Sequence, residues 1–202
     1  MKKIIFLDRD GVINVDRQYV FRIEDFELEK NVIPGLKSLA KKGFEFIIVT
    51  NQSGIGKGYY TEDDFRTFNE HVISVLKDNG IEILKTYHSP FHPEGIGEYR
   101  KASPCRKPGT GMLEQAEQDF RIDRKTSWII GDKWADVKCG VDFGIRSILV
   151  KTGKGGKRDK KYKPEKYTYV AEDLLDASQF ITENEPSREL REKSKQWRNK
   201  LK

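Results

Sequence analysis

Four consecutive apolar residues, Ile4, Ile5, Phe6 and Leu7, run directly into Asp8 and Asp10, and Gly11 follows. An unbroken apolar run of this length belongs to a strand covered on both faces, the kind found in parallel sheets flanked by helices. Glycine then permits a sharp turn, so the two aspartates fall at the strand's carboxyl end, where open α/β sheets bind ligands. Alternation along an extended chain sets Asp8 and Asp10 on one side and Arg9 on the other. Two carboxylates in one cleft can divide the work. One, ionised beside a cation, serves as nucleophile; the other, with a raised pKa, gives and takes protons.

The same punctuation recurs down the chain. Residues 44–49 form a second aromatic and β-branched run that ends in Thr50, Asn51, Gln52 and Ser53, and residues 81–87, 127–130 and 147–150 read as further strands. Residues 166–170 read as an edge strand. Between them lie helical patterns. Pro34 fits a first helical position ahead of Leu36, Leu39 and Ala40, with Gly43 as the stop. Thr61 is a good N-cap for the stripe Phe65, Phe68, Val72, Val75 and Leu76, which Gly80 ends; His71 beside it reads as a half-buried helix residue. Met112, Leu113, Ala116 and Phe120 mark another helix, residues 135–143 one closed by Gly144, and residues 172–180 a short last one. Alternating strand and helix predicts an α/β, Rossmann-like, doubly wound and mainly parallel sheet with helices on both faces.

Three loops stand out. Residues 15–30 read as a flap, in which Asp16, Arg17, Gln18 and Tyr19 either close over a substrate or form ordinary surface. Residues 88–109, with Pro90, Pro93, Pro104 and Pro108, are unusually long for a loop in a compact domain. Residues 151–166 are rich in glycine and lysine.

The length of 202 residues suits one domain, expected over 1–181, followed by a charged tail over 182–202. In that tail Leu190, Trp197 and Leu201 form a thin helical stripe that would dock on the body or on a partner. No apolar run approaches the roughly 18 to 20 residues of a membrane helix. A strand begins almost at once, so no signal peptide is expected, and the expected location is the cytoplasm. There Cys105 and Cys139 would remain thiols. The net charge of +6 resides in residues 151–168 and 182–202, which contribute +6 and +3 and leave −3 for the rest. No face interleaves basic and aromatic residues, so nucleic acid is not an expected partner, and a monomer is the default.

Strand ends and the long loop bring one set of groups to one edge: Asp8 and Asp10, Thr50 to Ser53, Arg106 and Lys107, then Asp132, Lys133 and Asp136. Phosphoryl transfer requires such groups. A phosphate monoester dianion repels carboxylates, so a divalent cation and a lysine must neutralise it before an aspartate attacks. Asp8 and Asp132 offer hard oxygens of the kind Mg²⁺ takes, Lys107 a point charge, and Thr50 with nearby N–H groups hydrogen bonds to the phosphoryl oxygens.

The stretches DRDGVIN, VTNQSG, CRKP and GDKWAD, in this order over residues 4–153, resemble the four motifs of the haloacid dehalogenase-like phosphatases. More narrowly, they resemble the branch of heptose bisphosphate and histidinol phosphatases. The resemblance implies that Asp8 attacks phosphorus to form an aspartyl phosphate, while Asp10 protonates the leaving oxygen and later activates water. It implies that Thr50 and Lys107 steady the phosphoryl group, and that Asp8, Asp132 and the Asp10 carbonyl hold Mg²⁺. Arg9, Arg106 and Lys133 are expected to bind substrate, with Asp16, Arg17, Gln18 and Tyr19 as the flap and Asn51, Gln52 and Ser53 as the phosphate-side loop. Asp136 orients Lys107 or the metal shell, or else forms a salt bridge at a helix start. No large cap domain has room here. The implied substrate is D-glycero-D-manno-heptose 1,7-bisphosphate, cleaved at carbon 7. Histidinol phosphate, another sugar phosphate and a nucleic-acid 3′ phosphate are alternatives, and a degenerate binding module is the non-enzymatic one. One departure matters. Where the branch carries a four-ligand zinc site, this chain has Ser89, Phe91, Ser103 and Cys105, so zinc is not expected. His88 and His92 with Cys105 are the remaining improvised set.

Overall fold

The computed structural model describes residues 1–155 and 169–184. Six strands, β1 (Lys3–Leu7), β2 (Phe44–Asn51), β3 (Ile83–Ser89), β4 (Trp128–Gly131), β5 (Arg146–Val150) and β6 (Tyr169–Ala171), form one sheet. All neighbours are parallel, in the order β3-β2-β1-β4-β5-β6. The helices are α1 (Val32–Lys41), α2 (Ser53–Gly56), α3 (Glu62–Asp78), α4 (Gly111–Asp119), α5 (Trp134–Phe143) and α6 (Leu174–Glu183). Short 3₁₀ turns cover Ile23–Asp25 and Gly97–Tyr99.

The apolar runs divide between two cores by simple alternation. Ile5, Leu7, Phe46, Ile48 and Ile130 point to one face, against Leu36 of α1, Phe68 of α3 and Ile181 of α6. Ile4, Phe6, Ile47, Val49 and Ile129 point to the other, against Met112 of α4 and Phe143 of α5. Each such side chain contributes about 1.5–3 kcal/mol when removed from water. This is the doubly wound sheet that the sequence predicts.

The strand order also locates the crevice. The chain leaves β1 toward β2 and β3, then crosses back to lay β4 on the other side of β1, with Leu7 level with Ile130. Connections therefore diverge above the carboxyl ends of β1 and β4, the switch point at which doubly wound sheets open. Asp8 follows β1 directly and Asp132 follows β4.

Several boundaries differ from expectation for local reasons. Helix α1 begins two residues before Pro34, which still lies in the first turn, where the missing N–H has no intrahelical partner in any helix. Ile81 belongs to the end of α3, not to β3. Gly80 is left-handed (φ 78°), and the Ile81 N–H donates to the Leu76 carbonyl while Gly80 N–H donates to Lys77, a Schellman closure that delays the strand to Ile83. Helix α6 starts at Leu174, where the Asp173 carboxylate accepts from the Leu175 and Asp176 N–H groups, and it runs past the expected tail boundary. His71 is half-buried with its ring 5.0 Å from Phe26, edge-on. Residues 156–168 and 185–202, which hold most of the expected basic loop, the start of the edge strand and the Leu190, Trp197 and Leu201 stripe, lie outside the described residues. No helix among the described residues is long and apolar enough to cross a membrane.

Candidate active site

Asp8 is tied to β4 by its N–H, which donates to the Ile130 carbonyl at 3.0 Å. The chain then turns back on itself, with the Arg9 carbonyl accepting from Val12, Ile13 and Asn14. Gly11 makes this turn at φ 88°, and a Cβ there would lie 2.5 Å from Asp132 Oδ2. Gly153, at φ 58°, presses on the same oxygen from the other side and on Gly11 Cα itself, each at 2.5 Å from its own notional Cβ. Two bare backbones thus enclose one carboxylate. Asp132 Oδ2 accepts the Lys154 N–H at 2.8 Å, and Thr152 Oγ1 donates to the Gly11 carbonyl at 2.7 Å.

A buried charge cluster lies beside this turn. Lys107 Nζ sits 3.0 Å from Asp8 Oδ1 and 2.6 Å from Asp136 Oδ1, and also donates to the Val49 carbonyl at 2.6 Å. Lys133 Nζ lies 3.0 Å from Asp132 Oδ1 and 3.5 Å from both Asp8 Oδ2 and the Asp10 carbonyl oxygen. It is also 3.7 Å from Asp16 Oδ2. The lysines separate the titrations of the carboxylates. Burial works to raise Asp8, but the charges of Lys107 and then Lys133 outweigh it and hold the group at about 2. Asp132 is pushed up to about 7, first by burial and then by the Asp8 charge. Asp136 is raised for the same two reasons against the opposing pull of Lys107. Burial lowers both lysines, yet the surrounding carboxylates outweigh it and raise them, led by Asp136 at Lys107 and by Asp8 at Lys133. Asp8 is therefore an ionised carboxylate at neutral pH.

Asp10 is held differently. Its Oδ1 accepts from Arg9 Nε at 3.1 Å, Arg9 Nη2 at 3.0 Å and Asn14 Nδ2 at 3.0 Å. Its Oδ2 accepts from Arg9 Nη2 at 3.1 Å and Gln52 Nε2 at 3.0 Å. Gln52 Nε2 also donates to Thr50 Oγ1, and Tyr60 OH donates to Gln52 Oε1 at 2.5 Å.

A cleft of about 440 Å³ opens over these groups. Of the expected site residues, Asp8, Asp10, Asp16, Gln18, Tyr19, Asn51, Gln52, Ser53, Arg106, Lys107, Lys133 and Asp136 line it. Asn51 and Lys107 exchange hydrogen bonds through the Asn51 amide and the Lys107 backbone, both 3.0 Å, and so fasten the long loop to the end of β2. Four expected residues stand elsewhere. Arg9 is not a wall of the cleft; it is 1% exposed, behind Asp10, because its side chain roots on the core face and its tip bends back. Arg17 points away to Glu27. Thr50 is buried beneath Gln52, and Asp132 is fully enclosed under Gly11 and Gly153. Tyr60 and Lys154 line the cleft without having been expected there.

Among the described residues, one group of acidic side chains is spaced to share a cation, Asp8, Asp132 and Asp136, with ligand atoms within 4.8 Å of one another. Asp136 is engaged by Lys107. The Asp10 carbonyl replaces it near Asp8 and Asp132, and these three oxygens already surround one cation, the Lys133 ammonium. In the long loop, His88 pairs with Glu62 at 2.8 Å and His92 Nδ1 accepts from the Glu94 N–H, while Gln115 donates to Cys105 Sγ. The loop is braced by Arg106 donating to the Phe91 carbonyl, by the Phe91 and Tyr99 rings, and by the Lys101 ammonium 4.5 Å above Phe91. Cys139 is buried, and burial pushes its thiol up to about 12.

Residues 104–177 match a family model described as HAD-hydrolase-like. The chain is 46% identical over 153 residues to D-glycero-alpha-D-manno-heptose-1,7-bisphosphate 7-phosphatase of Photorhabdus laumondii, covering 75% of this chain and 84% of that one. It is 42% identical over 182 residues to D-glycero-beta-D-manno-heptose-1,7-bisphosphate 7-phosphatase of Pasteurella multocida, covering 90% and 97%. In three dimensions it resembles D,D-heptose 1,7-bisphosphate phosphatase from B. bronchiseptica, solved with magnesium and phosphate, at a TM-score of 0.80 and 24% identity over 91% of this chain and 99% of that one.

Proposed function

The chain belongs to the haloacid dehalogenase-like hydrolases, and we propose on that ground that it is a Mg²⁺-dependent phosphatase that removes the 7-phosphate of D-glycero-D-manno-heptose 1,7-bisphosphate. The observation that carries the reading is the division between two neighbouring aspartates. Asp8, kept ionised by Lys107 and Lys133, is the nucleophile, and Asp10, caged on its core side and open to the cleft, is the acid and base.

Asp8 attacks phosphorus as the Asp10 carboxyl gives its proton to the departing sugar oxygen. The Asp10 carboxylate then takes a proton from water, whose oxygen attacks phosphorus and frees Asp8. Lys107 and Lys133 balance the phosphoryl charge, and Asp136 fixes Lys107 in position. Asp8 Oδ2, Asp132 Oδ1 and the Asp10 carbonyl are hard oxygens that already surround one cation, the Lys133 ammonium, so the set fits Mg²⁺. Bound there, the cation neutralises the phosphate dianion and lowers the barrier to attack. Gln18, Tyr19 and Arg106 face the sugar. The improvised His88, His92 and Cys105 set has its members on separate partners, which supports a loop held without zinc.

The test is Mg²⁺-dependent phosphate release from a panel of phosphorylated metabolites that includes both anomers of heptose 1,7-bisphosphate, histidinol phosphate and a 3′-phosphorylated oligonucleotide. The heptose bisphosphate is expected to have the highest kcat/KM, and Asp8→Asn to be inactive with an unchanged circular dichroism spectrum. Retained turnover in a folded Asp8→Asn protein would overturn the mechanism, and a higher kcat/KM for another ester would overturn the substrate.

A further inference from the structure

We propose that Arg9 is a positioning residue for the acid and base, and that with Gln52 and Tyr60 it fixes the direction in which the Asp10 carboxyl meets the leaving oxygen. The proposal rests on the reading of Asp10 given above and goes beyond it by assigning that group's support.

Arginine is an expensive residue to bury. At 1% exposure its guanidinium has lost its water, and the structure replaces that water only in part. One face lies near the Phe68 ring, 4.7 Å from its centroid, with Phe65 at 5.5 Å. Nε and Nη2 supply three hydrogen bonds to Asp10, and Nη2 makes two more, to the Val20 carbonyl at 3.1 Å and to Gln52 Oε1 at 3.3 Å. Among the described residues Nη1 has no hydrogen-bond partner. A group placed only for stability would be served better by an apolar side chain of the same volume. The site retains instead a planar fork against a single carboxylate.

The geometry states what the fork does. A carboxylate held by one donor can rotate about its terminal bond, which for this kind of side chain is a broad, soft torsion. Asp10 accepts from donors on both oxygens, so its plane is set. Gln52 locks the second oxygen and is itself locked at its other end by Tyr60 OH. Phe21 stacks on Tyr60, ring centroids 4.9 Å apart, so the relay ends in packed aromatic side chains and not in solvent. The cleft side of Asp10 is left open, with the side chain 18% exposed. Proton transfer depends on such alignment over tenths of an ångström.

In the first half-reaction the Asp8 oxygen–phosphorus bond forms, the bond from phosphorus to the leaving oxygen breaks, and the Asp10 proton goes to that oxygen. An alkoxide needs the proton; a nitrophenolate leaves without it. Misdirection of Asp10 therefore penalises alkyl esters selectively, whereas general damage to the fold or to phosphate binding penalises both.

The experiment measures the first turnover, by rapid quench, of the Mg²⁺-loaded full-length enzyme with an alkyl phosphate and with 2,4-dinitrophenyl phosphate. The proteins are wild type, Arg9→Met, Arg9→Lys, Tyr60→Phe and Asp10→Asn. Arg9→Met is expected to lose about a hundredfold on the alkyl ester and less than about tenfold on the dinitrophenyl ester, with KM little changed. Arg9→Lys should recover part of the alkyl rate. Equal losses on the two esters would overturn the proposal. If Arg9→Met does not fold, Arg9→Lys and Tyr60→Phe carry the same comparison, a selective loss supporting the proposal and a uniform one overturning it. Asp10→Asn distinguishes the two levels, because absence of leaving-group dependence in that variant would refute the role of Asp10 itself.

Discussion

Replacing Asp132 by asparagine should abolish catalysis and yet make the metal-free protein more stable at alkaline pH. Asp132 is fully buried, with its carboxyl pushed from 3.8 up to about 7 by burial and the neighbouring Asp8 charge. The unfolded chain releases this proton near the lower value and the folded chain near the higher one. Between them the folded state holds the extra proton, so this residue's contribution falls as pH rises from about 4 through 7. A rise of about three units at about 1.4 kcal/mol each is a penalty of about 4 kcal/mol at pH 8. Asparagine can still accept the Lys154 N–H through its side-chain oxygen, but it gives up the ion pair to Lys133. The rise to about 7 is already net of that ammonium's opposing pull, so the lost pair is not a further subtraction. The gain is about 4 kcal/mol, or about 8–16 °C in Tm for a chain of this size. Thermal unfolding by circular dichroism in EDTA, at pH 5 and pH 8, checks this. The variant's advantage over wild type should be clearly larger at pH 8 than at pH 5, and added Mg²⁺ should raise only wild type. A variant that parallels wild type across the pH range, or melts lower at pH 8, would refute the charge argument.

Lys133→Met removes an ammonium from among the oxygens assigned to Mg²⁺, so Mn²⁺ binding followed by electron paramagnetic resonance should tighten by about tenfold while KM for the phosphate ester rises. Gly11→Ala must place a methyl against the Asp132 carboxylate in a left-handed conformation, which costs about 1–2 kcal/mol for the backbone alone. Its Tm should fall, with Mn²⁺ affinity reduced by at least about tenfold as the carboxylate is displaced. With Ser89, Phe91 and Ser103 in the long loop, the purified protein should contain substoichiometric zinc by elemental analysis and keep its Mg²⁺-dependent rate in a zinc-selective chelator. One zinc per chain would refute this.

The sheet was legible because a buried parallel strand has few disguises. The Ile4–Leu7 side chains alternate between the two cores residue by residue, and an apolar run read one at a time carries that information. Sites at strand ends were legible for the same reason. Arg9 was not, since alternation locates where a side chain starts and says nothing of where a long one finishes. Lys154 was hidden by composition. Its glycine- and lysine-rich surroundings read as a loop with no part in the site, whereas Gly153 brings that backbone against Gly11 and aims the Lys154 N–H at Asp132. Tyr60 and Asn14 carry polar tips whose partners, Gln52 and Asp10, are chosen only after the chain has turned. The spacing of Asn14 four residues beyond Asp10, across a glycine turn, was the available signal. Ile81 misled because an apolar residue after a helix-ending glycine serves the helix cap as readily as the next strand.

The contact between Gly11 and Gly153 has a consequence in time. Asp8 and Asp10 emerge early in synthesis, Lys107 midway, and the backbone that seals Asp132 only after β5. The two halves of the sheet meet at the β1–β4 seam, and the cluster of Asp8 and Asp132 exists only where both are present. A nascent chain is thus expected to be catalytically silent until its fifth strand has folded, so that phosphatase activity would report completion of the C-terminal half of the sheet.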